Sequence, residues 1–124
     1  SRHVFGNQSD HVKASGVKLH NSDLATQEAI HPVIIIHPES KRKALYVNRT
    51  FTLNFEGWTV EESKPILDFL YNHATKSENT TRFRWEPGSM AFWDNRCTWH
   101  YALNDYHGKK RLMHRITIEG SALS

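Results

Sequence analysis

Residues 111–119 alternate without a break: Arg111, Met113, Arg115 and Thr117 fall on one side, Leu112, His114, Ile116 and Ile118 on the other. A two-residue period places successive side chains on opposite faces of a pleated strand, and no helix satisfies it. The chain must therefore build a sheet, and the rest of its apolar pattern agrees. Pro32-Val-Ile-Ile-Ile-His37 is a β-branched run, residues 38–42 carry turn chemistry, and residues 44–48 read as a second strand, so the two predict a hairpin. Residues 81–85 and 90–94 add two further strands around the turn Glu86-Pro-Gly-Ser89, and the final strand runs over residues 111–119.

One segment follows a different period. Thr59 and Glu62 have capping-box spacing, after which Val60, Ser63, Leu67, Leu70, Tyr71 and Ala74 recur at three- and four-residue steps. This predicts an amphipathic helix ending near Thr75. Pro65 removes a backbone donor inside it, which leaves Ser63 as an alternative cap. The expected class is mainly β with one amphipathic helix (α+β).

At 124 residues the chain holds one domain, with too little surface to bury for a second core. Residues 1–29 are polar and weakly periodic and read as an irregular lead-in, with a short helix over 22–29. The start at Ser1, without a cap or leader signal, suggests that sequence upstream is missing. The longest strongly apolar run, residues 33–36, is far too short to cross a bilayer. Sixteen basic against thirteen acidic residues give only +3, so no nucleic-acid groove is expected, despite the basic and aromatic interleaving of Arg82-Phe-Arg-Trp85. The single Cys97 excludes an intrachain disulfide and suits a reducing cytoplasm; in that compartment the sequons at Asn7, Asn48 and Asn79 carry no weight.

Arg111 and Arg115 project from the same face of the expected last strand, about 13 Å apart at 3.3 Å per residue. On a half-buried face an unpaired guanidinium is costly, and its fork of donors matches a planar carboxylate or sulfonate two bonds at a time. The partner is either an external anion or an internal acid: Asp94, Asp105 or Glu119.

The surrounding stretch WDNRCTWHYALNDYHGKKRLMHRITIEG resembles the C-terminal signature of the taurine dioxygenase family of iron(II)- and 2-oxoglutarate-dependent oxygenases. HPVIIIHPESKRKALYVNRTFT and FRWEPGSMAFWDN resemble the same family in order and spacing, so the likeness covers about residues 30–120. It implies a double-stranded β-helix (jelly-roll), here lacking its N-terminal half. It also implies that His100 is the distal iron ligand, that Arg111 grips the distal carboxylate of 2-oxoglutarate, and that Arg115 holds the anionic head of the substrate. Phe51 corresponds to an aromatic residue of the substrate pocket, and Trp93 and Asn95 lie on the approach to the ligand strand. Core packing is the competing explanation for these three. The implied cofactors are Fe(II) and 2-oxoglutarate, with O2 and a small anionic organic substrate (sulfonate, alkyl sulfate or carboxylate) as partners.

A two-His-one-carboxylate face leaves positions of an octahedral iron open for a chelating keto acid and for oxygen. The family supplies the other histidine and the acid as His-X-Asp, and no His-X-Asp occurs in this chain. His37-Pro-Glu39 has the permitted form 63 residues before His100, but it sits where the family has a remote hairpin and is read as a decoy. The chain therefore reads as the C-terminal part of a longer oxygenase. The alternative is a truncated, non-catalytic β domain with a structural or interaction role. Trp99 replaces the smaller polar residue expected beside the ligand, and strands whose partners are absent would expose edges and apolar faces that favour homo-oligomers.

Overall fold

The computed structural model of the chain describes residues 1–4 and 28–120. The one long helix among the described residues, α1 (Val60–Ala74), forms where the capping box predicts. The Thr59 hydroxyl accepts from the Glu62 N–H at 3.1 Å and the Glu62 carboxylate accepts from the Thr59 N–H at 2.8 Å. Ser63 is not the cap but a fully buried residue of the helix. Pro65 is exposed and the helix passes through it, giving up the backbone bond that a donor at this position would make. Ser63, Leu67 and Tyr71, four residues apart, form the buried stripe, and Leu67 and Tyr71 meet Val47 to make the main apolar cluster. Val33, Leu45, Phe55, Leu70 and Trp99 close around it. Burying each large apolar side chain contributes about 1.5–3 kcal/mol, so this cluster is where the stability is concentrated.

Among the described residues there are five short strands, of which β5 (Thr52–Asn54) packs against the helix. β1 (Arg2–Val4) is central to an antiparallel sheet of order β2-β1-β5, with β2 at Glu28–Ile30 and β5 at Thr52–Asn54. His3 lies opposite Ala29 on one side and Thr52 on the other. β3 (Ile34–Ile36) and β4 (Lys43–Leu45) form the predicted hairpin, with Ile35 opposite Ala44 and buried. In its turn, Lys41 has φ of 58° and its N–H bonds to the His37 carbonyl at 2.9 Å. Among the described residues, five strands in two sheets with one long helix agree with the mainly-β expectation.

Other expectations fail. The irregular lead-in over residues 1–29 contains strand at both ends, β1 and β2, whose pairing joins residues 24 to 28 apart in the chain and leaves no local signal. Of the short helix expected over 22–29, residues 22–27 lie outside the described residues and residues 28–29 are strand. The three strands expected over residues 81–85, 90–94 and 111–119 are not in a sheet among the described residues; the segment is irregular, punctuated by turns. Alternation fixes which side chains share a face but supplies no neighbouring backbone, and a strand exists only where another accepts its N–H groups. The half-burial expected for the arginine-bearing face is likewise not found: residues 101–120 are all exposed, with Ile116 at 90% and Ile118 at 87%. Among the described residues no helix is long and apolar enough to cross a membrane.

Candidate functional site

The segment leading to the candidate ligand is built on an aspartate. Asp94 opens a turn in which its Oδ1 accepts the Arg96 backbone N–H at 2.9 Å, while the Arg96 side chain donates to both carboxylate oxygens at 2.6–3.1 Å. The same carboxylate bonds His37 Nε2 at 3.0 Å, tying the end of β3 to this turn. The Arg96 hydrogen bonds first, then that of His37, hold the Asp94 carboxyl well below the usual carboxylate range. His37 Nδ1 accepts the backbone N–H groups of Glu39 at 3.3 Å and Ser40 at 3.2 Å. A nitrogen that takes two donors carries no proton, so the ring proton sits on Nε2 and is donated to Asp94.

Five residues after Asp94, Trp99 packs edge-on against Tyr71 of α1, ring centres 6.0 Å apart, and joins the core. The departure of Trp99 from the expected smaller residue is thus an anchor. His100 follows it directly. Its ring lies 5.0 Å from that of Trp93, and the Trp93 indole N–H donates to Asn95 Oδ1 at 2.9 Å. Burial pushes the His100 imidazole below its ordinary value, and the Arg115 guanidinium pushes the same way. The ring is therefore neutral at pH 7, the form that offers a lone pair to a metal.

The structure thus groups Trp93, Asn95, His100 and the field of Arg115. Arg111 and Phe51 belong to other local groups. The Arg111 guanidinium sits 5.4 Å from the centre of the Tyr106 ring. Phe51 is half-buried in the turn before β5, where its N–H bonds the Asn48 carbonyl at 3.2 Å. Of the internal acids considered as arginine partners, Asp94 is engaged by Arg96 and Asp105 by Arg82 at 2.9 Å.

Among the described residues the one set of three His, Cys, Asp or Glu donors within metal reach is His37, Asp94 and Cys97, all within 4.8 Å. It does not suit a metal, since His37 Nε2 carries a proton and both Asp94 oxygens are held by Arg96. His100 is not part of that set. One imidazole does not make a two-His-one-carboxylate face, so the described residues do not by themselves fit a catalytic iron. Sequence reasoning set His37 aside as a decoy and overlooked its bond to Asp94. The acid and base two apart in Asp94-Asn-Arg96 gave the available hint of a side-chain-capped turn.

The family described as "Taurine catabolism dioxygenase TauD, TfdA family" matches residues 9–117. The chain is similar to an alpha-ketoglutarate-dependent sulfate ester dioxygenase of Pseudomonas putida, 41% identical over 93 residues, which cover 75% of this chain and 31% of that protein. It is similar to an alkylsulfatase of Acinetobacter baylyi, 40% identical over 93 residues, 75% of this chain and 29% of that one. An alpha-ketoglutarate-dependent sulfonate dioxygenase of Saccharomyces cerevisiae is 42% identical over 78 residues, 62% of this chain and 19% of its own length. The chain thus spans about three-tenths or less of these relatives. With 109 of its 124 residues inside the family match, the chain belongs to the TauD/TfdA dioxygenase family.

Proposed function

We propose that this chain is the C-terminal, anion-holding part of an iron(II)/2-oxoglutarate-dependent dioxygenase of jelly-roll fold. As a whole, the protein hydroxylates a small anionic substrate (a sulfonate, alkyl sulfate or carboxylate) while converting 2-oxoglutarate and O2 to succinate and CO2. The observation that carries this reading is the family match, which extends to residue 117 and so takes in His100, Arg111 and Arg115. His100 supplies one iron ligand. Arg111 offers paired donors to the distal carboxylate of 2-oxoglutarate, and Arg115 receives the sulfonate or sulfate. Phe51 lines the substrate pocket, and Trp93 and Asn95 support the ligand segment. The names of the relatives favour a sulfate ester or sulfonate. The remaining iron ligands come from outside the described residues, and the single cysteine accords with a cytoplasmic setting.

The test is 2-oxoglutarate-dependent succinate formation, with iron and oxygen, by the protein as its cell makes it, across alkyl sulfates, alkanesulfonates and aryloxy acids. Turnover of at least one class is expected, and none with any class would overturn the reading. Arg111→Ala should raise the KM for 2-oxoglutarate at least tenfold and Arg115→Ala that for the substrate, each losing a charge-assisted pair of about 1.5–3 kcal/mol. Equal damage to both ligands by either change refutes this division of labour. For the chain by itself, the lone His100 favours the non-catalytic alternative, and the expected result for the isolated 124-residue chain is no succinate.

A further inference from the structure

His37 offers a second use for a residue the dioxygenase chemistry does not require. Its side chain is only 12% exposed, and both ring nitrogens are engaged. Nδ1 gathers the Glu39 and Ser40 N–H groups, and Nε2 reaches Asp94 across 57 positions of sequence. Asp94 in turn sets the turn over residues 94–97, closed by the Cys97 N–H to the Asp94 carbonyl at 3.3 Å. Downstream, Trp99 is held on Tyr71. The peptide that carries His100 is therefore pinned at two points, one polar and one apolar, between which few conformations remain.

We infer that His37 is a positioning residue: through Asp94 it fixes the segment between Trp93 and Trp99 and so determines where the His100 imidazole is presented. The inference rests on the proposed role of His100 for its functional meaning, but the placement itself concerns only this chain. A merely stabilising histidine would leave His100 where it is in any variant that folds. A positioning one moves it, because removing the Nε2 donor frees the carboxylate to turn with Arg96 and takes the turn away from the hairpin. Glutamine can restore the contact, since its terminal amide places a nitrogen donor near the position of Nε2, whereas alanine cannot.

The experiment is NMR on the 124-residue chain with selectively labelled histidine and tryptophan. In the unmodified chain, His37 should show the tautomer protonated at Nε2, and the His100 ring protons should carry a ring-current displacement from Trp93. His37→Ala should abolish that displacement, and His37→Gln should restore most of it. The Trp58 indole, edge-on to Phe55 at 5.8 Å, reports whether the fold survives. His100 resonances unchanged in a folded His37→Ala chain would overturn the inference. If that variant unfolds, a His37 protonated at Nδ1 in the unmodified chain overturns it instead. Neither readout uses iron, keto acid or turnover, so failure of the dioxygenase reading would leave this result standing and the reverse is equally visible.

Discussion

Residues 28–79 and residues 80–120 are built from similar sequence and reach opposite outcomes. The first holds the hairpin, β5 and α1, and with β1 it contains every strand pairing and nearly all of the buried core among the described residues. The second holds the candidate ligand and both candidate anion-binding arginines, yet its large apolar residues stand in solvent: Phe92 is 90% exposed and Ile116 equally so. Both regions have β-branched and alternating sequence. The difference is that the first finds its hydrogen-bond partners close by or in β1, whereas the second is tied to the first by the Asp94–His37 bond and reaches the core cluster through Trp99. Secondary structure in a sheet belongs to the pair and not to the strand.

The sharpest way to break this contrast is to truncate one aliphatic residue in each region. Leu67→Ala should cost about 2–5 kcal/mol by denaturant unfolding, because Leu67 is 4% exposed against Val47 and Tyr71. Ile116→Ala should cost less than about 0.5 kcal/mol. Comparable losses at the two sites would mean that residues 111–119 pack in solution and the contrast is false.

Acid should act on the paired region next. His3 is buried in β1, where burial first, then His31 and the chain's amino group, lower its pKa from 6.5 to about 4. Between those values the unfolded chain binds the proton and the folded chain does not, so stability rises with pH through this window and is lost as pH falls through it. The loss should be about 2 kcal/mol after allowance for solvent screening. His3→Gln should flatten the dependence of stability on pH between 6.5 and 4; an unchanged slope would assign it to other groups.

A smaller loss than that of Leu67 or His3 is expected at the helix start. Thr59→Ala removes half of the capping box and should cost about 1 kcal/mol by thermal unfolding. Hydrogen exchange should localise the loss to residues 60–64 and leave residues 80–120 unchanged.

The fold was legible where its causes are local. Thr59 and Glu62 announce α1 from three residues apart, and the hairpin is written in the run 33–36, its turn and the following strand. β1 was not legible, because three residues acquire strand character only from Ala29 and Thr52 on either side. The alternation of residues 111–119 was read correctly as a pattern, but a pattern names faces without supplying a neighbour. In the site, Trp93 and His100 lie within one segment that the family likeness singled out, but it named the two residues separately and did not anticipate their ring contact. The bond from His37 to Asp94 spans 57 positions, and neither residue type nor spacing encodes it.

Ser63 carries a consequence for how the molecule comes apart. Its buried hydroxyl accepts the Phe55 N–H at 3.0 Å and donates to the Thr59 carbonyl at 2.8 Å, and eight residues on the Tyr71 hydroxyl donates to the Asn48 carbonyl at 3.4 Å. The first and last thirds of α1 are each stitched to the chain that enters and leaves β5. Helix and strand should then melt in a single cooperative step, with circular dichroism and tyrosine fluorescence falling together along one curve.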